Sequence, residues 1–191
     1  MFGKMYVQWI EREHEAANEA VAADPNVMVL LSQCGLVKKF MCPFMYAQPR
    51  LLNALVDYWH PDAEAFMIEG QSLVPTTEDI YFLTGLLRRG EPINFQTFPA
   101  GRSKVSELIE EYCVARTNQR TSSIPVSSIT SLTLQTILSL IGRITGSTVV
   151  HQASRAQMNY AIQCMNAQIF YWSTTLLECM KRQLTDCRQW T

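Results

Sequence analysis

The chain has 191 residues, 48% of them hydrophobic, and a formal net charge of -1. That length allows one domain or two small ones, with a real core, and that charge demands neither a nucleic acid nor a membrane surface as partner. The charge is uneven, however: residues 1–95 hold 12 acids and 7 bases, a balance of -5, and residues 96–191 hold 5 acids and 9 bases, a balance of +4. Solvated faces explain such a split most simply; two halves that dock, or a mildly basic surface, explain it as well.

The opening "MFGKMYVQWIEREHE" turns charged too early for a secretory signal. No apolar run approaches the roughly 18 residues of a membrane span. The six cysteines, Cys34, Cys42, Cys113, Cys164, Cys179 and Cys187, form no C-x-x-C pair. Reduced thiols in an intracellular protein, mostly buried as small apolar groups, are expected.

In chain order, residues 4–23 predict a helix, with Met5 and Trp9, then Arg12 and Ala16, along one side. Proline disfavours helix in the residue before it, so this helix stops at Asp24-Pro25. Asp24 then caps a second helix with Pro25 at its first position, and Gly35 ends it. "PRLLNALVDYW" follows, with Leu51, Leu52, Leu55, Val56 and Trp59 as its inward face and Pro61 as its stop. "AFMIE" and "SLVP" predict a hairpin around Gly70-Gln71. Thr76 and Asp79 sit at the spacing of a capping box, opening a helix that turns Ile80, Leu83 and Phe82 inward and ends at Gly85. "LLRRGEPI" predicts a second small hairpin with Arg88, Arg89 and Gly90 near its tip.

Residues 103–116 predict a helix with Val105, Leu108, Ile109 and Tyr112 inward. "TNQRTSSIPVSS" reads as a linker, being polar and proline-containing. "SLTLQTILSLIGRIT" predicts a helix, although its threonines and isoleucines also suit a strand. From Ser154 to Leu184, Met158, Ile162, Met165, Ile169, Trp172, Leu176, Met180 and Leu184 recur at steps of three or four, which predicts one long helix. The expected fold is mainly α with two small β-hairpins, one compact helical unit with a long C-terminal helix. Residues 1–120 form its core and residues 121–191 a helical C-terminal part of the same unit.

No catalytic constellation emerges. His14, His60 and His151 are far apart and lack metal-ligand spacing, and Cys179 with Cys187 supplies only two ligands. There is no G-x-S-x-G elbow, no Walker loop and no G-x-G-x-x-G. Glu110 and Glu111 are adjacent on a predicted helix and so diverge, as a solvated face would. No cofactor and no metal is expected. The nine bases of the second half are dispersed among Tyr160, Tyr171 and Trp172 without any recognised nucleic-acid-binding pattern. Arg88 and Arg89 are the candidate partner-binding residues, because arginine forms forked bonds to carboxylates.

The stretch "LLNALVDYWHPDAEAFMIEGQSLVPTTEDIYFLTGLLRRGEPI" resembles the signature of the plant mobile domain family. Ala54, Leu55 and Trp59 fit its apolar helix, and Phe66 fits its short strand. Pro75, Thr76, Asp79, Ile80, Leu83, Gly85, Leu86, Gly90 and Pro92 fit its second block. The resemblance covers residues 35–93, with a looser similarity over the last helical segment. It implies a transposable-element or retrotransposon-derived domain, a non-enzymatic protein-interaction module of the nucleus that serves transposon silencing or gene regulation. It also implies a phosphatase-like plant protein as partner. A nucleic-acid-handling module of an element-encoded protein is the alternative. The family's other label, aminotransferase-like, finds no support in Lys4, Lys38, Lys39, Lys104 or Lys181, none of which sits in a pyridoxal-binding setting.

Overall fold

The computed structural model describes residues 19, 21–41, 48–94, 111–113, 123–145 and 152–189. These contain seven α-helices and two small antiparallel sheets. Helix α1 (Pro25–Gln33) begins as expected: the Asp24 carboxylate accepts the Asn26 N–H at 2.9 Å, and Pro25 occupies the first turn. It ends at Cys34, with Gly35 in the left-handed region at φ +77°. Helix α2 (Val37–Met41) turns Phe40 into the core.

Helix α3 (Pro49–Tyr58) runs directly into a two-residue strand, β1 (Trp59–His60). Trp59 is buried as expected, but from that strand rather than from the helix. Leu51 and Leu52, expected inside, are exposed. A 3-10 turn (Pro61–Ala63) returns the chain into β2 (Ala65–Ile68), which pairs with β3 (Gln71–Leu73). The expected hairpin is therefore present and carries a third strand, with Trp59 opposite Phe66 and Phe66 opposite Leu73. Its turn residues Glu69 and Gly70 both have positive φ, +50° and +78°, the twist that suits two-residue hairpins.

Helix α4 (Thr77–Thr84) carries the full capping box. Ile80 points inward, but Phe82 and Leu83 are each 80% exposed, against expectation. Eight residues make only two turns, and the buried contact on that helix is made by Ile80, with Leu86 just beyond its end.

The expected second hairpin over 86–93 does not form. Its segment lies instead along residues 169–173: Glu91 donates its N–H to the Ile169 carbonyl (2.8 Å) and accepts from the Tyr171 N–H (3.1 Å), a single parallel bridge. The second sheet pairs β4 (Ser123–Pro125) with β5 (Gln152–Ser154). Ile124 in β4 is 1% exposed, so the C-terminal part of the presumed linker is core structure; residues 117–122 lie outside the described residues.

Helix α5 (Leu132–Thr145) buries Leu134, Ile137, Leu138, Leu140, Ile141 and Ile144. The long C-terminal helix is in fact two, α6 (Arg155–Met165) and α7 (Trp172–Gln189). The break falls where Ala167 adopts φ +59° and where Ile169 to Tyr171 extend to meet Glu91. Buried positions surround α6 on every side, which makes it the central element of the core. Most of the helix expected over 4–23, and most of that over 103–116, lies outside the described residues. Of these, Glu19, Val21, Ala22, Glu111 and Tyr112 are described and helical.

Candidate interaction surface

The surface begins with the cap of α4. The Thr76 hydroxyl accepts the Asp79 N–H at 3.2 Å, and the Asp79 carboxylate accepts both the Thr76 N–H (2.8 Å) and its hydroxyl (2.7 Å). These bonds hold the Asp79 carboxyl below its ordinary pKa, chiefly through the Thr76 hydroxyl. At the other end, Thr84 donates to the Ile80 carbonyl (2.6 Å) and accepts the Leu86 N–H (3.2 Å). Gly85 has φ +68°, and a Cβ there would overlap the Lys38 side chain of α2. Both ends of α4 are thus fixed, and Phe82 and Leu83 stand outward from a helix that cannot easily turn.

Arg88 and Arg89 part company. Arg88 is ion-paired with Glu78 and lies over the Tyr81 ring, 5.4 Å from its centroid, so it braces α4. Arg89 is exposed. Neither sits at a hairpin tip. Beyond them, Gly90 passes so close to the Ile169 carbonyl that a Cβ would collide with it, at φ +130°.

On the far side of this segment a groove of about 410 Å³ opens between Pro92–Asn94 and one stripe of α7. Its first wall is fixed: the Tyr160 hydroxyl accepts the Asn94 N–H (2.8 Å) and donates to the Asn94 carbonyl (3.1 Å). Its second wall presents Tyr171, Thr174, Glu178, Cys179 and Arg182 at helical spacing. Arg182 donates to the Cys179 sulfur at 3.3 Å. No motif marked this groove, because its walls come from segments about 80 residues apart.

Two thiols meet in the core, Cys34 and Cys164, both fully buried. The hydrogen bond to Cys34, and then burial, push the Cys164 thiol far up, so it keeps its proton. The hydrogen bond with Cys164 in turn holds the Cys34 thiol below its ordinary value, and neither sulfur is open to solvent. Cys187 is exposed, and Cys42 lies outside the described residues. Among the described residues no three His, Cys, Asp or Glu side chains gather at metal-binding distance. No helix among them is long and apolar enough to cross a membrane.

The uneven charge acquires a structural meaning. Lys181 pairs with Glu64 at 2.6 Å, and Arg188 with Asp57 at 3.4 Å. Two bases of the positive half therefore hold α7 to acids of the negative half, beside the bond from the Trp59 indole N–H to Thr185. Compared with known proteins, the chain matches no family model, no curated protein and no solved structure.

Proposed function

We propose that the chain is a non-enzymatic protein-interaction module of transposable-element origin, acting in the nucleus in transposon silencing or gene regulation. The observation that carries this reading is the exposed pair Phe82 and Leu83 on a helix capped at both ends, with Arg89 exposed just beyond it. An aromatic anchor with a neighbouring arginine is the composition of interface hot spots. A rigid helix lowers the ordering cost of binding. The residues that resemble the plant mobile domain signature, Pro75 to Pro92, are those that build this surface. The resemblance supplies the partner, a phosphatase-like plant protein.

The test is co-purification of that partner from plant nuclei with the tagged chain. Recovery with the wild type and its loss with Phe82→Ser plus Arg89→Glu supports the reading. Equal recovery by both, with the variant folded, overturns it. Salt-sensitive binding of DNA or RNA, unaffected by these substitutions, would favour the nucleic-acid alternative instead.

A further inference from the structure

The groove between Pro92–Asn94 and α7 lies apart from the Phe82 surface and is not used by the reading above. Its size falls in the range of ligand-holding clefts, roughly 300 to 1,000 Å³. Its two charges are notable for what they do not do. Glu178 and Arg182 are one helical turn apart, in the order that favours an ion pair, yet they are not paired. Elsewhere on α7, Lys181 and Arg188 do find carboxylates. Among the described residues Arg182 donates to the Cys179 sulfur, a weak acceptor that engages one of its five N–H donors. Glu178 is exposed on the same stripe.

We propose that this groove binds an extended peptide segment in which an acidic side chain is flanked by apolar ones. The guanidinium of Arg182 takes the carboxylate in a forked, charge-assisted pair. Glu178 accepts a backbone N–H of the peptide. The apolar flank lies between Ile93 and the Tyr171 ring. Because both hydrogen-bonding groups of the Asn94 backbone are held by Tyr160, the wall is set before the peptide arrives.

The probe is a fluorescein-labelled octapeptide, Ser-Gly-Leu-Asp-Leu-Gly-Ser-Gly, titrated with the full chain and followed by fluorescence polarisation. Saturable binding is expected, weakened about tenfold to a hundredfold by Arg182→Gln and less by Arg182→Lys. The same peptide with Asn for Asp should bind as weakly to the wild type as the Asp peptide does to Arg182→Gln. Arg182 is exposed, so its variants should melt with the wild type, and circular dichroism checks this. A second variant, Ile93→Ser, removes the apolar contact independently. Absence of saturable binding, equal binding of the Asn peptide, or indifference to Arg182→Gln would overturn the proposal. So would sedimentation showing a wild-type dimer lost in Arg182→Gln, since the groove would then belong to a second copy of the chain.

Discussion

Trp59 donates its indole N–H to the Thr185 hydroxyl at 3.1 Å, across 126 residues of sequence. That bond ties the three-stranded sheet to α7, while the Trp59 ring meets Phe66 edge-on at 5.1 Å. The tryptophan is 2% exposed, so its burial and its polar tip are both satisfied. Trp59→Ala should destabilise the fold by about 3–5 kcal/mol. Thr185→Val should cost about 1 kcal/mol, by removing only the acceptor. Urea unfolding of both variants checks the order; an unchanged midpoint for Trp59→Ala would remove this anchor from the account.

The capping box gives a prediction with a sign. Thr76→Ala should cost about 1 kcal/mol, read as a lowered melting temperature. The Asp79 carboxyl has a depressed pKa in the folded protein because Thr76 bonds its charged form. Its contribution to stability is therefore full above the unfolded value, near pH 4, and is lost as pH falls through the lower folded value. Asp79→Asn should melt below the wild type at pH 7, and the two curves should converge in acid. A gap that persists undiminished at pH 2 would show that the carboxylate is not its source.

These caps were legible because they are local: the Asp24-Pro25 start, the Thr76–Asp79 box, and the glycines at 35 and 85 depend on a few adjacent residues. The hairpin was legible for the same reason, although its turn falls on Glu69-Gly70, one residue before the expected Gly70-Gln71, which leaves Gln71 paired with Ile68. What failed depended on distant partners. Steps of three and four ran unbroken from Met158 to Leu184, yet the helix breaks, because Ile169 to Tyr171 serve Glu91 rather than continue α6. The arginine segment resembled a hairpin for want of any sign that residues 169–173 would receive it. Leu83 sits three residues after Ile80 and so shares its face in pattern, but α4 is too short to bury both. The groove was invisible from sequence, since neither wall carries a motif.

Gly90 tests the docking of that segment. At φ +130° an alanine is strained in backbone alone, and its Cβ would also meet the Ile169 carbonyl. Gly90→Ala should therefore cost at least about 2 kcal/mol, more than the usual glycine penalty. The loss should appear together with faster amide exchange at Glu91 and Tyr171, whose N–H groups make the bridge. Gly70→Ala is the control: its φ is also positive, but nothing crowds the added methyl, so a smaller loss is expected. Equal losses at the two positions would mean that the contact with Ile169 carries little.

Phe82 and Leu83 separate scaffold from function. Each is 80% exposed, so folding gains little from either, and Phe82→Ser with Leu83→Ser should leave stability within about 0.5 kcal/mol of the wild type. Arg89→Glu should be equally silent in the melt, as Arg89 is exposed. Arg88→Glu should not be silent: it faces Glu78 and would turn an attractive pair into a repulsive one, though an exposed pair is worth at most about 1 kcal/mol. Arg89 is thus the cleaner probe of binding. A surface kept for a partner predicts that the silent variants lose capture of the phosphatase-like protein while their melts overlay the wild type. If the double serine variant instead melts several degrees lower, the pair is packed in solution and the exposed helix is no docking face. If its melt and its capture are both unchanged, α4 is scaffold alone, and the search for the partner site moves to the groove at Arg182.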